Sequence, residues 1–134
     1  MRNLGDRIKK LIIAVLNCNI TDAIYVFGSY GTEYYEEGVS DIDIAWFTSK
    51  KIDLVKRSKF RDILEEVLDI SVDLVIVDKN STDHLLYNIF ETGECIFIGS
   101  KEFESWFDYF YDSTYLDREF LSIYMEEKNR YVQY

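Results

Sequence analysis

The sequence predicts an α/β (α+β) fold: a small mixed β-sheet backed by helices, with further helices at the C-terminus. Three observations carry this. Short apolar runs at Ala23 to Phe27, Asp41 to Phe47, Ser71 to Val77 and Glu94 to Ile98 have strand length and are bounded by turn residues. Longer stretches between and around them repeat their apolar residues at three- and four-residue spacing, the period of a helix with one buried face. The 134 residues hold no proline and no internal repeat, and 48% are hydrophobic, enough for one core; a single domain over residues 1–134 is expected.

In chain order, Asn3 is placed to cap a first helix running to about Leu16 or Asn17. Its apolar face is Leu4, Ile8, Leu11, Ile12 and Val15, with Arg7, Lys9 and Lys10 in solvent. Asn17-Cys18-Asn19 ends that helix, and Thr21-Asp22 leads into a strand over Ala23 to Phe27. This strand stops at Gly28-Ser29, and a loop from Tyr30 to Ser40 follows. The chain resumes as a strand, Asp41 to Phe47, then a turn in which Lys50 and Lys51 are solvated. Asp53 opens a helix to about Leu68, with Leu54, Phe60, Ile63, Leu64, Val67 and Leu68 as its buried face.

Ser71 to Val77 is a strand with Val72, Leu74 and Ile76 on one face and Asp73, Val75 and Val77 on the other. After a turn at Asp78-Lys79-Asn80, Ser81 caps a helix from Thr82 to about Thr92, packed through Leu85, Ile89 and Phe90 and stopped by Gly93. The single histidine, His84, is read as a surface residue of this helix. Glu94 to Ile98 forms a short strand with Ile96 and Ile98 on one face. From Lys101 to Tyr134 the chain reads as helical and aromatic, with Phe103, Trp106, Phe107 and Phe110 on one face. Tyr109, Tyr111, Tyr115, Phe120, Tyr124 and Tyr131 either cover a sheet edge or form an interaction surface.

Composition narrows the function. The net charge of −10 argues against direct nucleic-acid binding, which needs a basic patch. It fits docking on a basic partner, or acidity kept for solubility. No apolar run reaches membrane-spanning length, and Leu11 to Leu16 lacks the cleavage site of a signal peptide. Cys18 and Cys95 show no metal spacing and are read as small buried apolar residues in a reducing cytoplasm.

The chemistry concentrates in Ile24 to Phe47. Asp41 and Asp43, at i and i+2 of a strand, project to the same face, while Ile42 and Ile44 turn into a core. Adjacent carboxylates repel, and burial worsens the conflict; a hard divalent cation such as Mg²⁺ relieves it and shares its other positions with phosphates. Gly28 admits close approach of another group, and Ser29 offers a hydroxyl and an N–H to a phosphate oxygen. Asp73, a carboxylate within an apolar strand, needs a partner if buried; its alternative is an edge position facing water.

Gly28-Ser29, the loop, and Ser40-Asp41-Ile42-Asp43 resemble the signature of the nucleotidyltransferase superfamily that includes DNA polymerase β. The short chain is similar to the minimal nucleotidyltransferase (MNT) proteins, the antitoxin halves of HEPN/MNT toxin–antitoxin pairs. That resemblance implies a nucleotidyltransferase-like sheet and nucleotide binding at Gly28, Ser29 and Ser40. It also implies Asp41, Asp43 and Asp73 as catalytic ligands of Mg²⁺, two ions in all. The implied reaction is AMPylation, the transfer of AMP from ATP to a tyrosine hydroxyl of a HEPN toxin partner. The Ala-Arg-Gly sequence common early in the family's loop is replaced by Tyr30-Gly31-Thr32. A non-catalytic antitoxin that masks a basic RNase, and a small-molecule nucleotidyltransferase, are the competing readings.

Overall fold

Pairing among four strands sets the architecture. The computed structural model describes residues 5–31, 34, 36, 39–78, 80–101, 103 and 105. The elements are α1 (Asp6–Leu16), β1 (Thr21–Phe27), a 3₁₀ turn (Gly28–Gly31), β2 (Ile42–Thr48), α2 (Leu54–Leu68), β3 (Val72–Val77), α3 (Asp83–Thr92) and β4 (Glu94–Ile98). The sheet order is β3-β2-β1-β4. β1 runs antiparallel to β2 and β4, whereas β2 and β3 are parallel, a pairing that requires the α2 crossover between them. The sheet is therefore mixed and backed by helices, as expected.

The central strands are apolar on both faces because both are covered. Ile24, Val26, Ile42, Ile44, Trp46, Val72 and Leu74 pack with Ile12 and Leu16 of α1 and Leu64 of α2. Ala23, Tyr25, Phe27, Ala45, Phe47 and Val77 pack on the opposite face with Leu86, Ile89 and Phe90 of α3 and with Phe103. A polar node sits within the first layer. Buried Thr21 donates its hydroxyl proton to the Leu16 carbonyl and accepts Trp46 Nε1–H at 2.8 Å, which ties the end of α1 to the middle of the sheet.

Several local expectations are corrected. The cap position of α1 is Gly5, with no side-chain cap; Asn3 and Leu4 lie outside the described residues. Lys9 is paired with Glu94 at 2.7 Å rather than simply solvated. β1 begins two residues early because Thr21 pairs with Thr48. Asp53 caps α2 as expected, accepting Lys56 N–H at 2.8 Å. The face that α2 presses on the sheet is the row Phe60, Leu64, Leu68, spaced by four; Leu54 and Ile63 lie off it and are 75% and 45% exposed. The cap of α3 is Thr82, which accepts Leu85 N–H, while the Ser81 hydroxyl accepts Asp78 N–H in the preceding turn.

In β4 a register shift opposite Ile24 and Tyr25 breaks the alternation, so Ile96 and Ile98 join opposite cores. Cys95 is buried but Cys18 is exposed, against the expectation for the latter. The aromatic segment over residues 106–134 lies outside the described residues, as does Lys79. No helix among the described residues is long and apolar enough to cross a membrane.

Candidate active site

The sheet register brings the acidic residues together. Phe27, the last residue of β1, pairs with Asp43 on β2, and Asp43 pairs with Asp73 on β3. Asp41 stands two residues before Asp43, on the same side of the chain. Burial of Ile42, Ile44, Val72 and Leu74 against α1 and α2 fixes that side, since a one-residue slip would turn these apolar groups out of their core. The carboxylates thus share the α3 side of the sheet, where β2 and β3 begin and β1 ends.

Asp41 and Asp73 are exposed and Asp43 is half-buried. Of the two positions left open for Asp73, the structure shows the edge one: β3 is an edge strand, and its second residue reaches solvent. Its proximity to Asp43 remains. The carboxyl of Asp43 is pushed up from 3.8 to about 6 by burial first, then by the charge of Asp73, the charge of Asp41 and a hydrogen bond with Asp73. Burial and the two neighbouring carboxylates together disfavour the charged form of Asp43.

Gly28 faces this carboxylate directly. Its φ of +76° lies in the left-handed region, and a Cβ built there would overlap Asp43 Oδ2 and stand 3.1 Å from Asp43 Cγ. Glycine is favoured by this backbone angle, and the Asp43 carboxylate occupies the space that a side chain would take. Its N–H is already committed, donated to Thr92 Oγ1 at 3.1 Å. Ser29 follows in the 3₁₀ turn and is half-buried. Ser40 closes the far end of the loop: its N–H donates to the Glu36 carbonyl at 2.8 Å, and its hydroxyl accepts Glu36 N–H at 3.1 Å. Of the sequence-predicted residues, Gly28 and the acidic trio converge, whereas the Ser40 hydroxyl is used within its own turn. Thr92 was not foreseen; it is 64 residues from Gly28, and no local pattern marks it.

Among the described residues no group of three His, Cys, Asp or Glu side chains is already disposed to hold a metal ion. The donor chemistry nonetheless fits a hard cation, because carboxylate oxygens in mutual repulsion are relieved by a divalent charge. Asp73 already shares a hydrogen bond with Asp43, and Asp41 and Asp73 are both open to solvent.

Comparison with known proteins bears on the fold and the family. No curated protein matches the sequence. A structure of a tri-AMPylated HEPN toxin from Shewanella oneidensis in complex with MNT antitoxin matches with a TM-score of 0.62 and 23% identity, over 95% of this chain and 92% of that one. A toxin–antitoxin structure with AMP-PNP matches with a TM-score of 0.64 and 24% identity, over 91% of this chain and 90% of that one. A toxin–antitoxin MntA–HepT structure matches with a TM-score of 0.61 and 22% identity, over 94% of this chain and 92% of that one. These likenesses establish a shared fold. The family model described as polymerase beta, nucleotidyltransferase, matches residues 10–102, a span that holds Gly28, Ser29, Asp41, Asp43, Asp73 and Thr92. The chain belongs to the polymerase beta nucleotidyltransferase family.

Proposed function

We propose that this chain is an antitoxin-type nucleotidyltransferase that moves AMP from Mg-ATP to a tyrosine hydroxyl of a HEPN toxin and so silences it. The observation that carries the reading is the row Phe27–Asp43–Asp73 with Gly28 against the Asp43 carboxylate: a dense acidic site at a sheet end, open to solvent on the Asp41 and Asp73 side. The shared fold with antitoxin chains solved beside an AMPylated toxin and with AMP-PNP supports it.

Asp41, Asp43 and Asp73 are the residues that would hold Mg²⁺, as one ion or two. The cation supplies charge neutralisation on the phosphates and on the departing pyrophosphate. Asp43 sits beside the turn against Gly28, and Ser29 in that turn would donate its hydroxyl or N–H to a phosphate oxygen. Exposed Asp41 and Asp73 leave the site open to a protein acceptor. In the transfer, the phenolic oxygen forms a bond to the α-phosphorus, the bond from that phosphorus to the α–β bridging oxygen breaks, pyrophosphate leaves, and the phenolic proton passes to solvent.

The test is the intact mass of the HEPN toxin after incubation with this protein and Mg-ATP. Added AMP units with the wild type, absent with Asp41→Asn/Asp43→Asn, support the proposal. The net charge of −10 and a loop from Tyr30 to Ser40 without arginine favour one competing reading, a masking antitoxin. A toxin left unmodified yet inhibited equally by both proteins would establish that reading instead.

A further inference from the structure

We propose that Thr92 is a positioning residue for the Gly28–Ser29 turn, so that one hydroxyl at the end of α3 sets the alignment of that turn with Asp43. The geometry is independent of the proposed function; its catalytic consequence rests on that reading.

Thr92 Oγ1 lies 2.7 Å from the Asn88 carbonyl oxygen and 3.1 Å from Gly28 N. A carbonyl oxygen only accepts, so the single hydroxyl proton points to Asn88. A lone pair is left to receive Gly28 N–H. The hydroxyl cannot rotate to present its proton to Gly28 without losing both bonds, and it is therefore an oriented acceptor.

Gly28 is held from two sides. Thr92 takes its N–H, and the Asp43 carboxylate fills the place of its missing side chain. The neighbouring Gly93 keeps Thr92 from drifting. A Cβ at Gly93 would overlap the Ile89 carbonyl oxygen and stand 3.1 Å from Phe27 Cβ and 3.2 Å from Tyr25 Cδ2, so the end of α3 rests directly on the end of β1. The Gly93 N–H also closes the helix on the Ile89 carbonyl at 2.8 Å. Helix end, turn and carboxylate thus form one stack, and the Thr92 hydroxyl is the polar link that joins Gly28 to the helix end.

Thr92→Val keeps the volume and removes the acceptor; Thr92→Ala removes both; Thr92→Ser keeps the hydroxyl. Amide exchange at Gly28, the amide shifts of Ser29 and Asp43, melting temperature, and steady-state kcat and KM for Mg-ATP would be measured on all four proteins. The expected result is Gly28 exchange faster by about tenfold in the Val and Ala variants, the value of one lost hydrogen bond, with Ser29 and Asp43 shifts displaced. A kcat lower by about tenfold is expected well below the melting temperature, with Thr92→Ser restoring each readout. Unchanged exchange and shifts in the Val and Ala variants would overturn the positioning claim. Faster exchange with wild-type kcat and KM would reduce Thr92 to a structural residue and overturn its functional part. A wild type that transfers no AMP would refute the proposed function, while exchange and shifts still decide the positioning claim.

Discussion

Replacing Gly28 with alanine tests the geometry of the site in isolation. The new methyl group meets two costs. A non-glycine residue at φ +76° loses roughly 1–2 kcal/mol against the carbonyl beside it. The methyl also overlaps Asp43 Oδ2, the far end of a half-buried side chain, and turning that carboxylate aside costs about 0.5–1.5 kcal/mol. Together Gly28→Ala should cost roughly 1.5–3.5 kcal/mol, a sizeable share of the ~5–15 kcal/mol that holds a domain folded. The assay is urea unfolding at pH 7 in three backgrounds. In Asp43→Ala the clash is gone and only the backbone cost, roughly 1–2 kcal/mol, should remain. In Asp43→Asn the side chain keeps its shape, and the full cost should persist. An identical cost in all three backgrounds would refute the placement of the carboxylate over Gly28.

Other predictions concern charge and the polar node. Asp43 binds its proton more tightly folded, to about pH 6, than unfolded, near 3.8. Between those values the unfolded chain releases its proton first, so stability should fall as pH rises through that window and level off above it. Asp43→Asn should remove this component of the pH profile, measured by thermal melts across the window from 3.8 to about 6 and above it. Because Mg²⁺ competes with the proton, it should raise the melting temperature of the wild type more at pH 8 than at pH 5 (roughly two units above and one below the titration) and leave Asp41→Asn/Asp43→Asn unmoved. Thr21→Val should cost about 1–3 kcal/mol in urea unfolding, since it leaves the buried Trp46 N–H and Leu16 carbonyl without their partner; Thr21→Ser should recover most of it.

The order of elements was legible because each strand run is short and apolar and each helix carries its period. Ile42 and Ile44 against Asp41 and Asp43 give the face of β2 at once, and the alternation in Val72 to Val77 gives that of β3. Asp53 was readable as a cap because capping is local. What escaped the sequence depends on contacts between distant segments. The choice between a buried and an edge Asp73 is made by the edge position of β3, which is a property of strand order. Ile63 and Val67 fit an apolar helical face on a wheel, but the sheet meets only the row through Leu64. The register shift in β4 comes from pairing with β1 and leaves no mark in Glu94-Cys95-Ile96-Phe97-Ile98. The commitment of Gly28 N–H to Thr92 joins residues that no motif connects, as does the seating of Gly28 against the Asp43 carboxylate.

The central claim is that Asp41, Asp43 and Asp73 form a metal-dependent nucleotide site. Calorimetric titration with an ATP analogue carrying a methylene α–β bridge, from which no AMP can leave, tests it most directly. It should be run with and without Mg²⁺ on the wild type and on Asp41→Asn, Asp43→Asn and Asp73→Asn. The account predicts Mg²⁺-dependent binding by the wild type, weakened by each substitution and most by Asp43→Asn. Binding that is indifferent to Mg²⁺ and to all three substitutions would contradict it.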